Sequence, residues 1–204
     1  MNGLNQSNMN STFKLVVLIS GRGSNLKSLL ESFNSGNSHY PISVIGVISN
    51  KADAYGLEIA KSFGVQGIFL DPKGLSKEDY DRLLVEQINN LAPDLIVLAG
   101  YMKILTPIFF KSFAGKIINI HPSLLPAFPG LNVQQAAIDA GASESGCTVH
   151  YVVEEVDAGP IIGQRAVPIY QDDTKESLSE RILKEEHILL PECIIKIFES
   201  KSTL

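Results

Sequence analysis

Short apolar runs alternate with segments of helical spacing along the first part of the chain. Four runs are nearly continuous in apolar residues: Lys14–Ser20, Ile42–Ser49, Asp94–Ala99 and Lys116–Ile120. Such runs are typical of strands that are covered on both faces of a sheet. After the first run, apolar residues recur at helical spacing at Leu26, Leu29, Leu30 and Phe33. This alternation predicts right-handed crossovers and a mostly parallel sheet.

A second segment of helical spacing follows Ser76 and Asp79, two residues that can form a capping box at the start of a helix. Its apolar positions are Tyr80, Leu83, Leu84, Ile88 and Leu91. We therefore predict an amphipathic helix between the second and third apolar runs.

The second half of the chain changes character. Two extended runs, Gly146–Glu154 and Ile161–Ile169, are joined by a short acidic connection that ends in Gly-Pro. They predict a hairpin or edge pair added to the sheet. A long helix is predicted from Thr174 to about Ser200, and Pro191 is expected to kink it.

These elements predict a single α/β domain with a doubly wound, mostly parallel sheet, an antiparallel edge and a long C-terminal helix. A chain of 204 residues suits one domain, and no internal repeat or linker divides it. Residues 1–12 are rich in Asn and Ser and lack the basic start and apolar run of a signal peptide. We expect them to be a disordered leader before a domain over residues 13–204, in a soluble, cytoplasmic protein.

The composition excludes several kinds of partner. The net charge is −5 and Lys and Arg form no cluster, which argues against a nucleic-acid surface. The apolar runs are far shorter than the roughly 20 residues of a membrane helix, so no membrane partner is expected. A small anionic substrate stays compatible, because a local pocket can be positive in an acidic protein. Cys147 and Cys193 lack metal-ligand spacing, so we expect buried packing residues and no metal.

A glycine-containing loop, Leu-Ile-Ser-Gly-Arg-Gly-Ser-Asn-Leu, joins the first strand to the first helix. Glycines let a backbone approach a ligand closely, and free N–H groups at a helix start bind anions. From the loop alone, two interpretations stay open: a tight turn with Ser24 as N-cap, or a phosphate site at Gly23, Ser24 and Asn25. The Gly-Lys-Ser/Thr of a Walker A loop is absent. A dinucleotide site is disfavoured, since Leu26 replaces the third glycine and Asn50 the acidic residue.

The most informative segment is Lys-Ile-Ile-Asn-Ile-His-Pro, at the end of the fourth apolar run. Asn119 and His121 are two residues apart, so both side chains project on the same side of the strand. Ligands of open α/β sheets bind beyond the carboxyl ends of strands. An amide can donate to a developing oxyanion, and an imidazole can give or take a proton near neutrality. We therefore assign chemistry to this pair, and expect His39, His150 and His187 to be ordinary core or surface residues.

An acidic stretch, Glu-Glu-Val-Asp-Ala-Gly-Pro, follows the first run of the hairpin. Glu154 and Glu155 are expected to be solvated. Asp157 differs, because the Gly-Pro pair after it bends the chain and can aim one carboxylate inward. A carboxylate near His121 would favour the imidazolium form, although the spacing in the chain does not establish this pairing.

Four segments carry a resemblance to a known family: Ile19–Leu26, Leu98–Leu105, Ile118–Pro126 and Asp157–Pro160. Together and in this order they resemble the phosphoribosylglycinamide formyltransferase family, over about residues 14–198. The resemblance implies a Rossmann-like formyltransferase fold. It also implies formyl transfer from 10-formyltetrahydrofolate, the co-substrate, to the amine of 5-phosphoribosylglycinamide, in a monomer or homodimer.

The resemblance also implies the site residues. The catalytic residues would be Asn119, His121 and Asp157, and the substrate phosphate would lie on Gly23, Ser24 and Asn25. Residues on the folate side would be Lys77, Met102, Lys103, Ile104, Leu105, Asn119, Val153, Glu154, Glu155, Val156 and Asp157. Residues on the ribonucleotide side would be Leu183, Lys184, Glu185 and Glu186.

Two features of the residues themselves bear on these implied roles. Glu186 lies on the apolar face of the predicted C-terminal helix, between Ile182 and Leu189, where an unpaired acid is costly unless a pocket opens onto it. Lys77 and Lys103 stand where the family often has arginine, which keeps the charge but loses bidentate geometry.

The expected mechanism is acyl transfer, in which the substrate amine attacks the formyl carbon. Asn119 and protonated His121 would stabilise the oxyanion, while Asp157 would sustain the imidazolium and assist proton movement. Three other functions share parts of this sequence pattern. Formyltetrahydrofolate deformylase, a hydrolase, normally has a further N-terminal domain, and methionyl-tRNA formyltransferase needs a basic C-terminal domain. A non-catalytic folate- or nucleotide-binding module would not need all three catalytic residues.

Overall fold

The computed structural model describes residues 12–36 and 38–202. The predicted leader over residues 1–12 therefore lies, apart from Thr12, outside the described residues. The strands are β1 Phe13–Ile19, β2 Ile42–Ser49, β3 Gln66–Phe69, β4 Leu95–Leu98, β5 Ile117–His121, β6 Glu144–Tyr151 and β7 Ile161–Pro168. The helices are α1 Ser24–Phe33, α2 Tyr55–Ser62, α3 Lys77–Leu91, α4 Pro107–Ser112, α5 Val133–Asp139 and α6 Lys175–Ser202.

The strands form one sheet in the order β3-β2-β1-β4-β5-β6-β7. Neighbours from β3 to β5 are parallel, whereas β5, β6 and β7 pair antiparallel. Parallel neighbours need crossovers, which the helices of the first half supply, while the acidic connection joins β6 to β7 as a hairpin. The predicted fold class, a mostly parallel α/β sheet with an antiparallel edge and a long C-terminal helix, is confirmed.

Strands β1, β2, β4 and β5 are largely buried on both faces, as their continuous apolar runs predict. Along β1, Leu15, Val17 and Ile19 pack into a core cluster with residues of α1, α2 and α6. Val16 and Leu18 point the other way, into a second cluster with residues of α3 and α4. This alternation gives the sheet a helical layer on each face.

Both cysteines are free and buried, as predicted. Burial raises the pKa of Cys147 to about 12 and that of Cys193 to about 11. Both thiols therefore stay protonated near neutral pH and act as small apolar packing residues.

The starts of two helices show where a local sequence pattern predicts the N-cap residue correctly and where it does not. Ser76 caps α3, and its hydroxyl accepts from the Asp79 amide at 3.0 Å. In contrast, α1 begins at Ser24 behind Gly23, so the interpretation of Ser24 as N-cap is wrong. Gly23 has φ 74, and a Cβ there would lie 2.6 Å from the Cα of Gly56. Close packing on α2 thus puts glycine, not a serine side chain, at the cap.

The long helix is continuous from Lys175 to Ser202 and contains Pro191 within it. The expected kink at Pro191 stays a prediction. Among the described residues, no helix is long and apolar enough to cross a membrane.

Candidate functional site

The loops after β1, β4 and β5 meet at one edge of the sheet. Strand β1 lies between β2 and β4 in the sheet. The chain continues from β1 to β2 and β3 on one side of it and then returns to β4 on its other side. Such a switch point opens a crevice beyond the carboxyl ends of the strands. A cavity of about 650 Å³ lies here, lined by the loop after β1, the loop after β4, the end of β5 and the first turns of α6.

Asn119 and His121 lie on β5, whose Ile120, together with Pro122 directly after the strand, lines this cavity. His121 is 5 % exposed, and its Nδ1 lies 3.4 Å from Oδ2 of Asp157. Its Nε2 lies 3.0 Å from the backbone carbonyl of Phe128. Both ring nitrogens therefore face oxygen acceptors, which an imidazolium can satisfy together and a neutral ring only one at a time.

Asp157 is brought to His121 by the connection between β6 and β7. It adopts a left-handed backbone with φ 53. Two residues later, a Cβ on Gly159 would lie 1.7 Å from the carbonyl oxygen of Tyr151, so the connection folds this tightly against β6 only because glycine stands there. The turn returns the carboxylate over the end of β5.

The environment of Asp157 favours its ionised form. Burial alone raises the pKa of the Asp157 carboxyl, but three groups together outweigh it and hold the pKa below its ordinary value. These are a hydrogen bond with His150, the Gly130 amide, which donates to Oδ2 at 2.9 Å, and the charge of His121. The side chain is thus an anion throughout the neutral range.

His150, which is expected from the sequence to be an ordinary core or surface residue, also lies in this cluster. It is 1 % exposed on β6, with Nε2 3.3 Å from Asn119 Nδ2 and 3.6 Å from Asp157 Oδ1. Its Nδ1 faces the Tyr151 carbonyl at 2.9 Å, so this nitrogen carries a proton. A neutral ring then accepts the Asn119 amide hydrogen, and a protonated ring donates to Asp157. Only the pairing of the strands links His150 to the site, because His150 lies opposite Asn119 in the antiparallel register.

The segment from Phe128 to Val133, whose composition is typical of a substrate cover, contacts three parts of the site. The Phe128 carbonyl faces His121, and the Gly130 amide donates to Asp157. At its far end, Asn132 accepts from Lys175 Nζ at 3.1 Å, on the first turn of α6. The segment therefore links His121 and Asp157 to α6, the helix that lines the cavity.

The residues assigned to the phosphate and ribonucleotide side are partly brought together. Ser24, Asn25, Leu183 and Glu186 line the cavity. Gly23 instead packs on α2 and shapes the turn. Lys184 is exposed, and Glu185 pairs with Arg165 at 3.2 Å. Sequence reasoning missed two cations among the lining residues, Arg22 and Lys175.

Glu186 is 6 % exposed and accepts a hydrogen bond from Asn25 Nδ2 at 2.7 Å. Burial raises the pKa of its carboxyl, and the bond to Asn25 lowers it by less. The acid predicted to sit on the apolar face of α6 is thus buried at the cavity wall, next to the helix start of α1. One amide partner leaves most of its acceptor capacity for a polar ligand.

Several residues assigned to the folate side are large apolar side chains that remain exposed, and these form what we call the apolar rim. Met102 and Ile104 are 67 % and 70 % exposed, and Val156 is 65 % exposed. Lys103 lies 4.6 Å above the ring of Tyr80, and Lys77 is exposed at the first position of α3, one turn before Tyr80. Of the rest, Leu105 is half-buried, and Val153, Glu154 and Glu155 are exposed. Large apolar side chains that remain in solvent mark a surface for an apolar ligand.

No group of three or more His, Cys, Asp or Glu side chains suited to a metal ion occurs within residues 12–36 and 38–202. The arrangement is instead that of an acid–base and oxyanion site. An amide donor, an imidazole and an anionic carboxylate meet between a polar cavity with two cations and an exposed apolar rim.

Known proteins resemble this chain in sequence and in fold. The formyl transferase family model matches residues 13–194. A phosphoribosylglycinamide formyltransferase of Haemophilus influenzae is 49 % identical over 91 % of this chain and 86 % of its own. One from Escherichia coli is 43 % identical over 87 % and 83 %. The crystal structure of glycinamide ribonucleotide transformylase 1 from Symbiobacterium toebii superposes with a TM-score of 0.88, at 44 % identity over 95 % and 91 % of the two chains.

Proposed function

Since the chain belongs to the phosphoribosylglycinamide formyltransferase family and performs that step of de novo purine biosynthesis, we propose that Asn119, His121 and Asp157 are its catalytic residues. The formyl group comes from a formyl-tetrahydrofolate, and we propose the 10-formyl form. The observation that carries the assignment is the distance of 3.4 Å between His121 Nδ1 and Asp157 Oδ2. His121 lies on β5, the strand that also holds Asn119.

The reaction forms one C–N bond and breaks another. The substrate amine attacks the formyl carbon, whose oxygen becomes an oxyanion. The Asn119 amide and the His121 imidazolium donate to that oxygen, because donors aimed at developing charge lower the barrier most. The proton of the attacking amine then passes to the departing folate nitrogen with the aid of Asp157, and the oxyanion collapses to release the formylated amine.

His121 must exchange one partner before it can serve the oxyanion. One ring nitrogen is held by Asp157 and the other by the Phe128 carbonyl. The formyl oxygen takes the place of the Phe128 carbonyl, and the same N–H that now donates to the segment then donates to the substrate. Movement of residues 128–133 on binding is accordingly part of the proposal.

The two substrates approach from opposite sides of the catalytic residues. We assign the ribonucleotide to the cavity, with its phosphate at Gly23, Ser24 and Asn25 and its remaining polar groups at Glu186. The cations Arg22 and Lys175 line the same cavity, which suits an anion in a protein of net charge −5. We assign the folate to the apolar rim.

The experiment that tests this function follows release of the formyl group from 10-formyltetrahydrofolate with and without glycinamide ribonucleotide. Release is expected to depend strictly on the amine. Release at the same rate without it would identify a deformylase, in which water is the acceptor, and would overturn the proposal.

Glu186→Gln is expected to weaken ribonucleotide binding and to stabilise the free protein at neutral pH. A hydrogen bond to a charged group is worth about 1.5–3 kcal/mol, so the KM for the ribonucleotide should rise about tenfold or more. Because burial raises the pKa of Glu186, its ionisation costs stability as pH rises through that pKa, and the neutral amide removes this cost.

Steady-state kinetics and thermal unfolding at neutral and acidic pH check this prediction. The gain in melting temperature should shrink at low pH, where Glu186 is protonated in the wild type. Glu86→Gln, at an exposed acid on α3 that does not line the cavity, serves as the control. A variant that binds ribonucleotide as wild type does would contradict the assignment of Glu186.

Several sequence-based expectations stay proposals. These are the single domain over residues 13–204, the cytoplasmic location, the monomeric or homodimeric state, and the lack of metal, nucleic-acid and membrane partners. Contact between Lys77 and the folate is proposed from the resemblance alone.

A further inference from the structure

The segment from Met102 to Leu105 is a connection between β4 and α4 that belongs to no strand or helix. Its most exposed side chains are apolar, with Met102 67 % and Ile104 70 % in solvent. Burial of these side chains therefore cannot hold the segment in place, and its conformation must depend on contacts of its backbone.

Side chains from other elements hold the backbone at both ends of this segment. The Met102 amide donates to Ser20 Oγ at 2.7 Å, and the Thr106 amide donates to Asp81 Oδ2 at 2.6 Å. Ser20 follows β1 and is 5 % exposed, whereas Asp81 lies on α3 and is fully buried. The two anchors thus come from opposite sides of the loop.

The orientation of the first anchor is fixed by a third residue. The Ser20 hydroxyl donates its hydrogen to Asn50 Oδ1 at 2.6 Å. Because a hydroxyl has one hydrogen, this bond turns a lone pair toward the Met102 amide. Asn50 thus orients the Ser20 hydroxyl. It follows β2, at the position where a dinucleotide-binding sheet would carry an acid.

The second anchor is costly for the fold. The Oδ1 atom of Asp81 has no hydrogen-bond partner among the described residues. Burial raises the pKa of its carboxyl, opposed by the Thr106 amide and by the charge of Lys103. A buried carboxyl with one unpaired oxygen is unfavourable for stability, which points to a use for the position that it holds.

We propose that Ser20 and Asp81 are positioning residues that fix the two ends of the Met102–Leu105 segment in the shape that receives the formyl-folate. This inference rests on the proposed assignment of the rim to the folate. An ordered segment binds without a further loss of conformational entropy, so the two anchors strengthen folate binding without touching the folate. Asp81 lies outside the lining of the cavity assigned to the ribonucleotide, whereas Ser20 is part of that lining, so Asp81 is the anchor that separates the two substrates.

Ser20→Ala and Asp81→Ala test the proposal in the full chain. We expect each to raise the KM for formyl-folate about fivefold to tenfold, the usual effect of one lost hydrogen bond. For Asp81→Ala, which leaves the cavity lining intact, the KM for the ribonucleotide and kcat should stay within about twofold of wild type. Asn50→Ala should move the folate KM in the same direction by less.

Two further variants separate positioning from general loss of stability. Asp81→Asn keeps an oxygen for the Thr106 amide and is expected to restore the folate KM. Asp94→Ala removes a matched contact, because Asp94 accepts from the Lys14 backbone amide at 2.8 Å at the other end of the sheet. It should lower the melting temperature and leave the folate KM unchanged.

The outcomes are distinct. Ser20→Ala and Asp81→Ala that melt earlier but keep the wild-type folate KM would overturn the proposal, as would an equal rise of both KM values in Asp81→Ala. Should Asp81→Ala fail to fold, Ser20→Ala and Asn50→Ala decide alone. Failure of the proposed function would appear separately, as a wild-type protein without amine-dependent formyl transfer.

Discussion

Asn119→Ala and His121→Ala are each expected to lower turnover by about 10²–10³-fold, the usual cost of one lost oxyanion donor. Both side chains project on the same side of β5, and both are donors within one cluster with Asp157 and His150. The loss should appear in kcat, because the developing oxyanion exists only after the amine attacks. Single-turnover transfer of a labelled formyl group measures it directly.

Matched controls for these two variants lie on the surface. His39→Ala and Asn90→Ala remove the same side-chain types at exposed positions and should retain wild-type turnover. A double Asn119→Ala/His121→Ala variant should lose less than the product of the single losses, because both residues serve one oxyanion. Near wild-type turnover in either single variant would refute its catalytic role.

Asp157→Asn is expected to lower kcat by about 10²–10⁴-fold, the range of a general acid–base contribution. The substitution keeps an oxygen for the Gly130 amide and removes the negative charge beside His121. Without that charge, the imidazolium loses the partner that sustains it, and the proton of the amine loses its route. The KM values should change far less than kcat.

The pH dependence of Asp157 can be measured apart from catalysis. Its pKa in the folded protein lies below the ordinary value of 3.8. The stability that it contributes is therefore fully present above 3.8 and is lost as pH falls through the lowered pKa. The difference in unfolding free energy between wild type and Asp157→Asn should therefore fall as the pH drops below 3.8. A difference that does not change in that acidic range would contradict a lowered pKa of Asp157.

The fold could be predicted where the chain carries its own periodicity. Strands covered on both faces must be apolar throughout, so β1, β2, β4 and β5 were recognisable without their partners. The short β3 was not, because Gln66, Gly67 and Phe69 are exposed at the edge of the sheet. The short helices α2, α4 and α5 also lack a repeated apolar spacing.

The site could be predicted only in part, for a related reason. Asn119 and His121 share a strand, so a period of two places them together. Asp157 reaches them through a left-handed turn, the close fit of Gly159 and the antiparallel register of β6, none of which is local. His150 has the alternation of any strand residue, and only its pairing opposite Asn119 reveals it. Glu186 could be predicted because helical spacing from Ile182 and Leu189 places it on the apolar face of the helix.

The change of strand direction at β5 bears on how such enzymes diversify. The parallel half of the sheet supplies the cavity through loops whose length is constrained by the crossover helices. The antiparallel half supplies Asp157 through a hairpin connection that tolerates insertions more readily. Mutations that lengthen or reshape that connection can therefore alter the position of Asp157 while the loops of the parallel half that line the cavity are inherited unchanged. A border between two kinds of strand pairing thus allows two parts of one site to change independently.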